Sequence, residues 1–171
     1  MSEDESVAFQ ILVEDKPGVL FRVLNHFRRL NLNIDAVSVS SLPGVVGKSG
    51  ITVNLKASSE ECGMVQRMLN KSVDVVNVRL VRLSEAIRRE LVLAQIKMDQ
   101  NTGFERLIKN YGARVVSIRG DTAVVELTGE PETINSFINS VLDSGLVSLS
   151  RTGLAVLSFE EKVKEFAENI L

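Results

Sequence analysis

Tryptophan is absent from this 171-residue chain, and histidine and cysteine occur once each, as His26 and Cys62. A single cysteine rules out an internal disulfide and fits a reducing compartment, by default the cytoplasm. With one histidine, a metal site would have to be built largely from carboxylates. Nucleophile–histidine catalysis would have to use His26, which lies in a strongly helical stretch. No Walker-type loop, G-x-G-x-x-G run or H-E-x-x-H motif occurs. An excess of one charge is missing too. The net charge is −2, and no basic block stands ready to neutralise a phosphate backbone, which argues against nucleic acid. No apolar run approaches the roughly 20 residues that span a bilayer, which argues against a membrane. The opening Met1-Ser2-Glu3-Asp4-Glu5 is too acidic and polar for a signal peptide. The 44% hydrophobic and 25% charged content is that of a soluble globular chain, long enough for one ordinary domain or two small ones.

Hydrophobic periodicity orders the chain. Residues 7–13 are a short apolar run rich in β-branched residues, a buried strand. Leu20, Val23, Leu24, Phe27 and Leu30 then recur on one helical face, with Pro17 suited to the first turn. Asn31-Leu32-Asn33 ends that helix. Residues 34–41 alternate as a half-buried strand, with Ile34, Ala36, Ser38 and Ser40 on one side and Asp35, Val37, Val39 and Ser41 on the other. A third strand follows at residues 51–55. Ser58 and Glu61 form a capping-box pattern opening a helix over 58–69, and a fourth strand covers 73–83. The second half repeats the order: strand 91–98, helix 102–111, strands 113–119 and 122–128 around a Gly120-Asp121 turn, helix 131–144, and a last strand 146–157 open to a break at Thr152-Gly153. These readings predict an α+β chain of two tandem ferredoxin-like βαββαβ sandwiches. The expected domains are residues 1–84 and 85–171, with the boundary near residues 84–88. The outer sheet faces read as too apolar to leave wet, so pairing through sheets or edges is expected. Residues 159–171 read as an amphipathic C-terminal helix, with a mostly acidic polar face unsuited to anionic lipid.

One turn has the makings of a ligand site. A helix start exposes unpaired N–H groups at the positive end of its dipole, so an α-carboxylate can sit there without a side-chain cation. Gly18 lets a ligand approach the backbone. Val19 and Leu20 supply N–H groups, and Asp15 supplies an acceptor for an α-ammonium.

The run Leu12-Val13-Glu14-Asp15-Lys16-Pro17-Gly18-Val19-Leu20 resembles the signature of the ACT domain, a small-molecule-binding ferredoxin-like module. Asn33-Ile34-Asp35 is similar to the family's N-I-E/D, and Leu69-Asn70-Lys71-Ser72-Val73-Asp74-Val75 to its approach to the fourth strand. Arg89-Glu90-Leu91, Gly112-Ala113-Arg114-Val115-Val116, Val125-Glu126-Leu127-Thr128-Gly129 and Arg151-Thr152-Gly153 extend the likeness through the second half. Together these segments resemble the regulatory small subunits of acetolactate synthase (acetohydroxyacid synthase). That resemblance implies a non-catalytic role in branched-chain amino-acid biosynthesis, towards valine and isoleucine. It implies binding to a catalytic large subunit that carries thiamine diphosphate, Mg²⁺ and FAD, none of them on this chain. It also implies homodimerisation through the ACT domain and feedback inhibition by valine, with Asn33 and Ile34 of a neighbouring chain closing the site. The chain departs from the family pattern at Asp15, Phe21, Asn31 and Gly50, which stand where Asn, a small residue, Gly and Arg are usual.

Plainer readings stand beside these. A Pro-Gly turn is a common helix entry, His26 reads as an ordinary surface histidine, and Cys62 as a small helix residue. Glu60-Glu61 and Glu160-Glu161 read as solvated faces, because adjacent helix residues do not face each other. Arg88-Arg89 reads as structural or a partner contact. Three other functions compete. A stand-alone tandem ACT sensor would share the first turn but not the second-half segments. An RNA-recognition module needs aromatics on its central strands, and Gly50-Ile51-Thr52-Val53-Asn54-Leu55 has none. A small enzyme has no motif in its favour.

Overall fold

The computed structural model describes residues 4–41, 45–98, 103–142 and 145–158. They fall into two compact units, one reaching to Ile87 and taking in residues 155–158, the other Arg88–Leu154. The apolar run at the start becomes β1 (Glu5–Glu14). Val7, Phe9, Ile11 and Val13 point into the first core, while Ala8 and Leu12 on the opposite side are equally inaccessible. Burial on both faces explains why this strand reads as a continuous apolar run rather than an alternation. β1 pairs antiparallel with β3 (Lys48–Ala57) and β4 (Val75–Arg82), and β2 (Ile34–Ser41) pairs with β3, giving the order β2-β3-β1-β4 with β2 at an edge.

Helices α1 (Val19–Arg29) and α2 (Ser59–Asn70) complete the first unit. α1 buries Val19, Val23 and Phe27, and the Phe27 ring meets Phe9 edge to face at 5.3 Å. α2 opens on the expected capping box: the Ser58 hydroxyl accepts from Glu61 N–H, and the Glu61 carboxylate accepts from Ser58 N–H. α1 closes on a Schellman motif, with Leu32 N–H donating to Phe27 O and Asn31 N–H to Arg28 O. Asn31 takes the left-handed position at φ 55°, a conformation asparagine tolerates better than other residues with a Cβ.

The second unit repeats the scheme. β5 (Ala86–Lys97), α3 (Phe104–Tyr111), β6 (Arg114–Arg119), β7 (Thr122–Gly129), α4 (Pro131–Leu142) and β8 (Leu146–Arg151) give the sheet order β6-β7-β5-β8, while β9 (Ala155–Ser158) falls with the first unit. Val92, Ala94, Ile96, Val125, Ile134 and Phe137 form its core. Gly112 (φ 63°) ends α3 with the bond pattern that Asn31 gives α1, through Ala113 N–H to Ile108 O and Gly112 N–H to Lys109 O. The bulges repeat as well, one near the start of β2 and of β6 and one near the start of β4 and of β8.

Several expectations need correcting. The β2 bulge leaves Asp35 as the extra residue, since Ile34 pairs with Leu55 and Ala36 with Asn54. Ile34 and Val37 therefore share the core face, where strict alternation had put them on opposite sides. β5 begins at Ala86, five residues before the expected Leu91, straight after a 3₁₀ turn at Leu83–Glu85. The outer face of the first sheet is more polar than anticipated. Gln10, Thr52 and Ser38 share a row on it, and Gln10 Nε2 donates to Val156 O of β9 at 3.0 Å. The last strand is indeed broken, between Arg151 and Ala155. The C-terminal helix expected over residues 159–171 lies outside the described residues.

Candidate functional site

The turn over residues 15–20 is tied down from both sides. Glu14 N–H donates to Asp74 O and Asp15 N–H to Gly47 O, each at 2.9 Å. The Glu14 carboxylate is paired with Lys48 and, at 3.8 Å, with Lys16. The Lys48 hydrogen bond holds that carboxyl below the usual carboxylate range. Lys16 N–H turns back to Glu14 O at 3.0 Å, and Gly18 then caps α1 in the left-handed region at φ 82°, with no side-chain cap. Asp15, Lys16, Pro17 and Gly18 are exposed, whereas Val19 is buried and Leu20 packs on the core. Val19 N–H donates to Lys16 O at 3.3 Å. The first-turn donors left for a ligand are thus Leu20 and Phe21, which have no helical carbonyl four residues back.

Asn33 and Ile34 lie elsewhere. Ile34 pairs with Leu55 and, across β3, lines up with Val7, while the turn follows Glu14, which pairs with Lys48. Lys48 and Leu55 are seven residues apart on β3, roughly 23 Å at strand rise. The structure therefore places residues 15–20 and residues 33–34 at opposite ends of α1. One chain does not bring them together. Along the face of α1 between them runs an open cavity of about 650 Å³ lined by Phe21, Leu24, Arg28, Leu32 and Ile34.

Sequence comparison assigns both halves. Residues 9–77 match the family model described as an AHAS small subunit-like ACT domain, and residues 89–160 match the small subunit of acetolactate synthase. A probable acetolactate synthase small subunit of Archaeoglobus fulgidus is 30% identical over 145 residues, 84% of this chain and 90% of that protein. The chain belongs to the acetolactate synthase small-subunit family. A second relative, from Methanothermobacter thermautotrophicus and also described as a probable acetolactate synthase small subunit, is 29% identical over 91% of this chain and 94% of its own. The crystal structure of the acetolactate synthase small subunit from Thermotoga maritima superposes with a TM-score of 0.81 at 23% identity, covering 89% of this chain and 96% of that one, which confirms the fold.

Within this small subunit, the second-half motifs work structurally. Arg151 reaches Glu90 through Nε and Nη2 and Asn135 through Nη1. Thr152 Oγ1 bonds both N and O of Leu91. Arg88 and Arg89 pair with Glu132 and Glu130. Near the turn, sequence reasoning missed two groups. Arg22 curls back so that its Nη1 lies 3.2 Å from where a Gly18 Cβ would be, while its Nε donates to Asp74 Oδ2 at 2.7 Å. The signal was the four-residue spacing from Gly18 to Arg22; nothing local announced Asp74. His26 is no ordinary surface residue. Its Nε2 bonds Ser72 Oγ at 2.7 Å and its Nδ1 is buried with no partner among the described residues. Burial, and then the Arg29 charge, lower its pKa.

Proposed function

We propose that this chain binds the catalytic large subunit of acetolactate synthase, raises its activity and subjects it to feedback by a branched-chain amino acid, valine first. The observation that carries the reading is the left-handed Gly18 turn at one end of α1 with Asn33 and Ile34 at the other. A twofold axis that pairs β2 edge to edge with β2 of a second copy runs the two strands antiparallel. The Ile34 end of one copy then meets the Ser41 end of its partner. Ser41 aligns with Ser49 and Val13, at the end of the sheet where the Gly18 turn stands. Val39, 50% exposed on β2, and Phe21, 78% exposed on α1, are the apolar surface such pairing would cover.

In that dimer the effector carboxylate rests on the N–H groups after Gly18, Asp15 accepts from its ammonium, and Asn33 and Ile34 of the partner close the site. Because the site exists only in the assembled arrangement, the effector favours that arrangement, and a coupling of about 1–3 kcal/mol is enough for control. Thiamine diphosphate, Mg²⁺ and FAD belong to the large subunit in this reading. Residues 1–84 are the effector-binding half, residues 85–171 and their tail supply part of the large-subunit surface, and the complex works in the cytoplasm. The test is an activity assay of the large subunit with and without this chain, each with and without valine. Activation by the chain and inhibition by valine only in its presence are expected. An unchanged rate in every condition would refute the reading.

A further inference from the structure

A second cavity, of about 300 Å³, opens on a different face of α1, between that helix and the loop leading into β4. Val19 and Val23, both buried, and Val75 give it an apolar lining. At one end stands the Arg22–Asp74 ion pair, and His26, Ser72 and Arg29 stand towards the other. All these residues belong to a single copy of the chain.

We propose that this cavity is an α-amino-acid pocket complete within one subunit, with Arg22 taking the carboxylate and Asp74 the ammonium. The ion pair is open to solvent, with side-chain exposures of 54% for Arg22 and 23% for Asp74. Solvent-screened pairs of this kind add little to stability, so parting them costs little. An amino acid carries both charges on one carbon and replaces the single pair with two. A simple anion would meet Asp74, and a simple cation would meet Arg22, so the arrangement discriminates for the zwitterion. The ligand side chain then lies along Val19, Val23 and Val75. An aliphatic group fills that space, and an acidic one of greater length reaches Arg29.

His26, the only histidine of the chain, borders the cavity and gives one unambiguous imidazole signal. The full-length chain is titrated with L-valine and, separately, with L-glutamate while the His26 resonance is followed by NMR. A saturable shift with at least one of them is expected, lost in Asp74→Asn and in Arg22→Gln. The shift persists in Asn33→Ala, which damages the two-chain site from the far end of α1. No shift with either amino acid overturns the proposal. So does a shift retained in Asp74→Asn, or one lost in Asn33→Ala, which would assign the response to the two-chain site instead. Regulation of the large subunit by valine is a separate readout and stands or falls on its own assay.

Discussion

His26 shows how one side chain can couple this fold to pH. Its ring lies against α1 and Ser72, and both burial and Arg29 disfavour the imidazolium, so the folded pKa lies below the ordinary 6.5. The unfolded chain then binds the proton more readily than the folded one. The stabilisation is fully present above pH 6.5 and is lost as pH falls through the depressed folded value. Glu14 and Glu61 also have lowered pKa values, but they release their contribution only at more acidic pH, below the ordinary carboxylate value of 4.5. Thermal melts stepped from about pH 7.5 to about pH 5, the range where histidine titrates, should show the midpoint falling in the wild type. The fall should be shallower in His26→Leu. Equal slopes in the two proteins would remove His26 from the account. Cys62 is the quieter neighbour: burial raises its thiol pKa, in keeping with a packing role.

The helix ends show what was legible at the scale of elements. The start of α2 could be read because a Ser-x-x-Glu box is local chemistry. Ser58→Ala should cost about 1 kcal/mol of stability, measured as a lower urea midpoint at unchanged slope; an unchanged midpoint would mean that the box adds nothing net. The end of α1 could be placed from Asn31-Leu32-Asn33, although its left-handed asparagine could not be seen without dihedral angles. The start of β5 was hidden because Arg88, Arg89 and Glu90 look like a solvated linker. Their charges are met instead by Glu132, Glu130 and Arg151, and the strand runs on through them. The facing of Val37 was misjudged because alternation assumes an unbroken ladder, and one extra residue at Asp35 reverses it.

For the whole molecule, the tandem fold was legible because the apolar periods recur in the same order in both halves. The cavity beside α1 was not. Arg22 and Asp74 are 52 residues apart, and His26 and Ser72 are 46 apart, so only the packing of the β4 loop on α1 joins them. The separation of Gly18 from Asn33 along α1 has a genetic consequence. If the effector sits between two copies, Gly18→Asp and Asn33→Ala each abolish valine feedback through that shared site as pure proteins but damage opposite partners of every such site. In a mixed dimer the intact turn of one chain faces the intact Asn33 of the other, while the second site collects both defects. Two proteins that each lack valine feedback should therefore regain valine inhibition of the large subunit when mixed and allowed to exchange subunits. Complete exchange without recovery would show that each chain binds its effector alone.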